Sequence, residues 1–339
     1  MADVRVALIL LGIRSRPPKR LTPLAVSLDL PSIREWSPNP PYNIHRGSAI
    51  ITSTMSAESI KTVAVLGAGT MGNGVAHVFA RAGHTVILRD VEQRFLDRGL
   101  ETIGKNLDRE VKKEKITAAE KSATLSRIQP TTDMSRLAAA EFAVEAVPEQ
   151  LDLKVRVLKE ADAVLRPGVI LASNTSSISI SKLASETSRA DKFIGMHFFN
   201  PVPVMALVEV IRGRATSEET FRTTMSLCEK LGKKPVGVND SPGFVSNRVL
   251  MPMINEAAFA VMEGVATPEA VDAVMKLGMN HPMGPLELAD LIGLDVCVDI
   301  MDVLHRGFGA AKYAACQLLR QYVSAGRLGR KSGQGFYKY

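Results

Sequence analysis

The stretch from Thr62 to Asp90 constrains this chain more tightly than any other. Thr62-Val63-Ala64-Val65-Leu66 is aliphatic without polar alternation, the pattern of a strand covered on both faces in a parallel sheet. Gly67-Ala68-Gly69-Thr70-Met71-Gly72 follows at once, and an apolar-periodic helix runs on to about Ala82. In this GxGxxG pattern Gly67 permits the tight turn, Gly69 lets the backbone approach a pyrophosphate, and Gly72 lets the helix lie close to the strand. Thr70 and Met71 open the helix, whose N-terminal N–H groups face the anion. The second strand, Thr85 to Leu88, runs into Arg89-Asp90 and so puts a carboxylate where an adenosine ribose would sit. A glycine-rich turn with a capping aspartate explains each piece alone, but not strand, turn, helix and acid in this order. Asp90 favours NAD because it would repel a 2′-phosphate, whereas Arg89 beside it leaves NADP open. The fold class that follows is α/β, a Rossmann-type doubly wound and mainly parallel sheet.

At 339 residues the chain is long enough for two domains of roughly 100 to 200 residues each. Its formal net charge of +7 suits a nucleic acid, a membrane surface or a polyanionic small molecule. No aromatic-basic motif supports a nucleic-acid partner. No apolar run nears the roughly 20 residues that span a bilayer, the longest candidate being Val6 to Ile13. Cys228, Cys297 and Cys316 lie far apart without CxxC spacing, which argues against a disulfide framework or a metal site and fits a reducing, cytoplasmic setting. The first 54 residues carry seven Arg or Lys against three acids, with prolines from Pro17 to Pro41. Residues 1–58 are therefore expected to be a disordered extension, either a basic transit segment or, because the segment matches targeting patterns poorly and the globular pattern begins just after Met55, an over-extended reading frame with Met55 as the working start.

Residues 92–127 form two charge-dense helical patterns, solvated faces by default or a basic arm for a phosphate-bearing substrate. Two further strands end in polar clusters at the edge where such sheets bind ligands. Phe142 to Ala146 leads to Glu149, with Lys154 in the next helix, and Val169 to Ala172 opens into Ser173-Asn174-Thr175-Ser176-Ser177. A last strand at Pro235 to Val238 closes a dinucleotide-binding domain over residues 59–240. From Ser241 the pattern is helical only, with elements at Phe244 to Met262, from Thr267-Pro268, at Pro285 to Leu304 and at about Lys312 to Ala325. This second domain, residues 241–339, has strongly apolar faces suited to substrate closure and to a homodimer or larger homo-oligomer.

Met196 to Val210, MHFFNPVPVMALVEV, poses the chemical question. Glu209 lies in an apolar strand, and a carboxylate taken out of water needs a partner. His197, delivered by the strand from Phe193 to Met196, is the nearest candidate, and Pro201 and Pro203 turn the chain between them. A histidine held by a carboxylate is an arrangement for acid–base work near neutral pH.

Six segments in order resemble the 3-hydroxyacyl-CoA dehydrogenases, closest among them to the bacterial 3-hydroxybutyryl-CoA group. They are VLGAGTMG, LASNTSS, MHFFNPVPVM, SPGFVSNR, NHPMGPLELADLIGLD and GRKSGQGFYKY, spread over residues 60–339. The resemblance implies NAD-dependent interconversion of a 3-hydroxyacyl-CoA and a 3-ketoacyl-CoA. It implies His197 as the acid–base group, Glu209 as its support, Ser176 and Asn247 as contacts of the reacting oxygen and acyl group, and Asn200 as a pocket organiser. It points to Asp90 for the ribose, to Glu149, Lys154 and Asn174 around the nicotinamide half, and to Asn106 and Lys113 for coenzyme A. Two alternatives stand beside it: a dehydrogenase of a free small 3-hydroxy acid, and a crystallin-like relative without catalysis.

Overall fold

The computed structural model describes residues 56–339, so the expectations for the preceding segment and the Met55 start lie outside the described residues. The strands β1 (Thr62–Leu66), β2 (Thr85–Arg89), β3 (Ile128–Thr131), β4 (Phe142–Glu145), β5 (Ile170–Ser173) and β6 (Phe193–Phe198) run parallel. β7 (Leu207–Arg212) returns antiparallel beside β6, and β8 (Lys234–Asn239) runs parallel to β7. The spatial order is β3-β2-β1-β4-β5-β6-β7-β8. The order therefore reverses direction between β1 and β4, which is where an open α/β sheet leaves a crevice at its carboxyl edge.

The unbroken apolar strands are explained by burial on both faces. Alternate residues of β1 point to opposite sides. Val63 and Val65 join one core with α1 (Thr70–Arg81), α2 (Gln93–Lys112) and the later helix α6 (Glu218–Lys230), while Ala64 and Leu66 join another with α4 (Leu151–Val164) and α5 (Ile180–Ala184). In α2, Leu96, Gly99, Ile103 and Leu107 are buried at helical spacing, so the charged residues between them face outward. The short helix α3 (Ala118–Ser126) begins with a capping box, Thr117 accepting from the Glu120 N–H while the Glu120 carboxylate accepts from the Thr117 N–H.

Beyond β8 the chain is helical: α7 (Ser246–Met262), α8 (Pro268–Gly278), α9 (Pro285–Ile292), α10 (Leu294–Phe308) and α11 (Gln317–Ser324). The single helix expected at Pro285 to Leu304 is two helices, because Gly293 adopts φ +107° and breaks the hydrogen-bond ladder. The one expected at Lys312 to Ala325 is shorter at its start, where Ala311–Tyr313 makes a 3₁₀ turn instead. Strand β3 went unanticipated, its IQPT sequence being polar and broken by Pro130, which only the edge of a sheet tolerates. Strand β6 runs two residues past Met196 and so contains His197. Among the described residues no helix is long and apolar enough to cross a membrane.

The C-terminal segment is latched by two buried carboxylates. Asp290 accepts from the Phe336 and Tyr337 N–H groups, both at 2.9 Å, and from the Tyr339 hydroxyl at 3.2 Å. Asp272 accepts from the Leu286 and Glu287 N–H groups that open α9 and from the Tyr337 hydroxyl. Removing a buried acceptor strands its donors at roughly 1 to 3 kcal/mol each. Asp290→Ala is therefore expected to lower the unfolding free energy by about 3 kcal/mol or more, read by urea denaturation. A loss below about 1 kcal/mol would show that the latch does not hold the tail.

Candidate active site

The glycine loop sits where β1 meets β4. A Cβ on Gly67 would lie 2.7 Å from the Ala146 carbonyl oxygen, and one on Gly72 would lie 1.8 Å from the Gly67 carbonyl oxygen, so strand, turn and helix fit together only without side chains there. Gly69 is different: a Cβ there would meet nothing within 4 Å. The space beside it is open, and α1 begins there with no acid in its first turn. An anion is welcome at such a helix start. The Asp90 carboxylate accepts from the Ala68 N–H at 2.7 Å and the Val91 N–H at 2.6 Å, which fixes its orientation and leaves lone pairs for two ribose hydroxyls. These features fit a dinucleotide, which Gly67, Gly69, Thr70, Met71, Gly72 and Asp90 would hold.

His197 on β6 faces Glu209 on β7 directly across the antiparallel pair, and Nδ1 lies 2.8 Å from Oε2. Cross-strand register, aided by the proline-containing connection, makes this contact. With Nδ1 bearing the proton that it gives to the carboxylate, Nε2 is left with a free lone pair, the state required of a base. Phe199 and Phe244 flank the ring, with centroids 4.6 Å and 5.9 Å away.

Glu209 has a second set of donors in the helical domain. Its Oε1 accepts from the Ser246 N–H at 2.9 Å and the Val245 N–H at 3.3 Å, and its Oε2 accepts from the Ser246 hydroxyl at 2.8 Å. The start of α7 is thereby docked on the carboxylate that holds the imidazole. Burial pushes the Glu209 pKa up, but the bonds from His197 and Ser246 outweigh it and hold the pKa below the usual range. The turn into α7 passes through Gly243 and Phe244, both at positive φ, +73° and +51°. A buried phenylalanine in that region is strained, and here its ring stands against His197.

The strand ends beside this pair form one polar network. The Asn247 amide donates to the Ser176 carbonyl oxygen at 3.1 Å, bridging α7 to the loop after β5. Asn174 accepts the Phe198 N–H at 2.9 Å and so braces β6 beside His197. Glu149 accepts from the Thr175 hydroxyl at 2.5 Å, from the Ser176 and Ser177 N–H groups at 3.0 Å each and from the Ser177 hydroxyl at 2.9 Å. Burial raises its pKa, Lys154 and these hydroxyls lower it further, and the net direction is down. Lys154, expected beside the nicotinamide half, is only 1 % exposed. Its ammonium is spent on Glu145 at 2.7 Å, the Val147 carbonyl at 3.1 Å and Glu149 at 3.3 Å. It braces the cofactor edge from inside. Asn200 is exposed at the start of the β6–β7 connection, and its bond to Pro201 is cis.

Asn106 and Lys113 are not drawn into this cluster. The Asn106 carbonyl accepts from Arg109 at 3.0 Å on its own helix, and Lys113 is exposed at the C-cap of α2.

Residues 62–241 match the model of the NAD-binding domain of 3-hydroxyacyl-CoA dehydrogenases, and residues 243–339 match the model of the C-terminal domain of the same enzymes. The chain belongs to the 3-hydroxyacyl-CoA dehydrogenase family. It is 54% identical over 280 residues to a probable 3-hydroxybutyryl-CoA dehydrogenase of Bacillus subtilis, covering 83% of this chain and 98% of the relative. It is 56% identical over 275 residues to a probable 3-hydroxybutyryl-CoA dehydrogenase of Deinococcus radiodurans, covering 81% of this chain and 99% of the relative. Among solved structures, the (S)-3-hydroxybutyryl-CoA dehydrogenase PaaH1 of Ralstonia eutropha superposes with a TM-score of 0.82 at 53% identity, over 83% of this chain and 99% of that one.

Several members of the site escaped the sequence reading. Ser246 stands next to the noted Asn247, but a serine at a helix start reads as a cap. The Glu145 carboxylate at the end of β4 accepts from the hydroxyl of Ser173 at the end of β5 at 2.6 Å, a pairing that neither local sequence shows. Asp240 accepts from the Ser179 hydroxyl and the Ile180 and Ser181 N–H groups and fastens the segment before α7 to the start of α5.

The lowered Glu209 pKa has a definite sign. Its stabilising effect is complete above the ordinary value of 4.5 and is lost as pH falls through the lower folded value. The gap in unfolding free energy between the parent and Glu209→Gln is expected to narrow from about pH 6 to about pH 3, measured by urea denaturation. A gap that stays constant across this range would contradict the assignment.

Proposed function

We propose that this protein is an NAD-dependent oxidoreductase that interconverts (S)-3-hydroxybutyryl-CoA and acetoacetyl-CoA. The observation that carries the reading is the His197–Glu209 contact at 2.8 Å on a sheet whose carboxyl edge also presents the dinucleotide loop. NAD bound at Gly67–Gly72 supplies the hydride acceptor or, in the reductive direction, the hydride donor. His197 Nε2 takes the proton from the 3-hydroxyl as the carbon is oxidised and returns it on reduction. Glu209 fixes the tautomer through Nδ1 and stabilises the imidazolium that forms. Ser176 and Asn247 orient the reacting oxygen and the acyl group, Asn200 shapes the mouth of the pocket, and Asn174 and Glu149 hold the nicotinamide side. Asn106 on α2 and Lys113 at its C-cap are assigned to the coenzyme A arm, where the exposed Lys113 suits a large, mobile, anionic ligand.

The same reading assigns the protein to short-chain fatty acid and butyrate metabolism in the cytoplasm, a setting with which three buried free cysteines agree. It also makes the protein a homodimer or larger homo-oligomer. The helical domain supports this, since it leaves Val249 65 % and Leu277 88 % exposed, with Val274 and Met279 nearby in sequence to Leu277.

Rates for acetoacetyl-CoA and a longer 3-ketoacyl-CoA, each with NADH and NADPH, test the reaction and cofactor together. Turnover of acetoacetyl-CoA with NADH is expected; activity confined to free 3-hydroxybutyrate would overturn the reading. His197→Gln is expected to retain NADH binding and to lose about 10²- to 10⁴-fold in kcat. Near-parental turnover would remove His197 from the reaction.

A further inference from the structure

The connection from β6 to β7, residues 199–206, leaves His197 and carries Phe199 and Asn200 before the chain turns. It is gripped from two sides. On one side Val202 fills a notch in α1: a Cβ on Gly74 would lie 2.7 Å from the Val202 Cβ. On the other, Lys233, in the turn between α6 and β8, donates from its ammonium to the Val202 carbonyl at 2.5 Å and the Met205 carbonyl at 2.8 Å.

Lys233 is 8 % exposed, and an ammonium taken out of water is costly unless it is compensated. Among the described residues it makes no ion pair. The groups around it carry no usable negative charge. Burial, with Arg81 and Lys233 adding to it, lowers the His77 pKa to about 4, so that imidazole is neutral. Burial also pushes the Cys228 thiol up to about 12, so it stays protonated. Glu110 nearby is paired with Arg81 at 3.3 Å. A methionine or leucine would fill this volume without the cost of a buried charge. What an ammonium adds is a pair of charge-assisted bonds that fix two carbonyls of one loop.

That loop continues directly from the catalytic strand, and the Phe199 ring stands 4.6 Å from the His197 ring. We propose that Lys233 is a positioning residue for the His197 base, clamping residues 199–206 against α1 so that Phe199 keeps the imidazole in line with Glu209. The inference rests on the proposed dehydrogenase reading for its kinetic effect, and on geometry alone for its effect on His197.

The test uses the full chain with Lys233→Met, which keeps the stem and loses the ammonium, and Lys233→Gln, which keeps a neutral N–H donor group without the charge. The histidine Cε1–H resonance of His197, identified by its loss in His197→Gln, is followed through pH, and kcat and KM are measured with acetoacetyl-CoA and NADH. In Lys233→Met the His197 resonance and its titration midpoint are expected to move and kcat to fall about tenfold or more, while KM for NADH changes less than about twofold. Lys233→Gln is expected to fall between this variant and the parent. An unmoved His197 resonance with kcat within about twofold of the parent, in whichever variant folds, would overturn the proposal. So would loss of folding in both, which would make Lys233 a purely structural residue. A parent chain inactive on acetoacetyl-CoA would count against the reaction, while the resonance comparison would still decide the role of Lys233.

Discussion

One carboxylate joins the two halves of this molecule at the point where chemistry is expected. Glu209 is buried in β7, faces His197 across the sheet, and accepts the first backbone and hydroxyl donors of α7. Left without them it would be an ionised group in a low-dielectric interior, a costly state. The imidazole and the helix start therefore stabilise the same charge. Breaking either contact weakens the support of the other.

This sharing explains the order of the surrounding parts. The dinucleotide loop lies at the switch point between β1 and β4, a rigid edge built from buried strands. The loops after β4 and β5 are tied to it through Glu145, Lys154 and Glu149. The helical domain reaches the same place by the connection at residues 240–246, where Asp240 fastens α5 and Phe244 bears backbone strain. Asn247 follows Ser246 by one residue, so docking of Ser246 on Glu209 also sets Asn247 over the Ser176 carbonyl. Site geometry and domain docking are one arrangement.

Much of this was legible in the sequence because local rules agree with one another there. The segment from β1 to Asp90 combines strand pattern, glycine spacing and a terminal acid, and each element has one structural solution. His197 and Glu209 were legible for a related reason, being polar residues in apolar strands that need each other. The misses are residues whose role depends on distant contacts. Ser246 resembles any helix cap, Lys233 any lysine in a turn, and Glu145 any strand end until its lysine is seen. β3 was hidden by Pro130 at the sheet edge, and the break at Gly293 by a single glycine in an apolar run.

The central claim is that Glu209 couples the imidazole to the helical domain, and a double-mutant cycle tests it most directly. With kcat/KM for acetoacetyl-CoA measured for the parent, Glu209→Gln, Ser246→Ala and the double variant, the account predicts strong non-additivity. Once Glu209 is replaced, loss of the Ser246 hydroxyl should cost little more, with a coupling of about 1 kcal/mol or greater. Effects that add to within roughly 0.3 to 0.5 kcal/mol would contradict it.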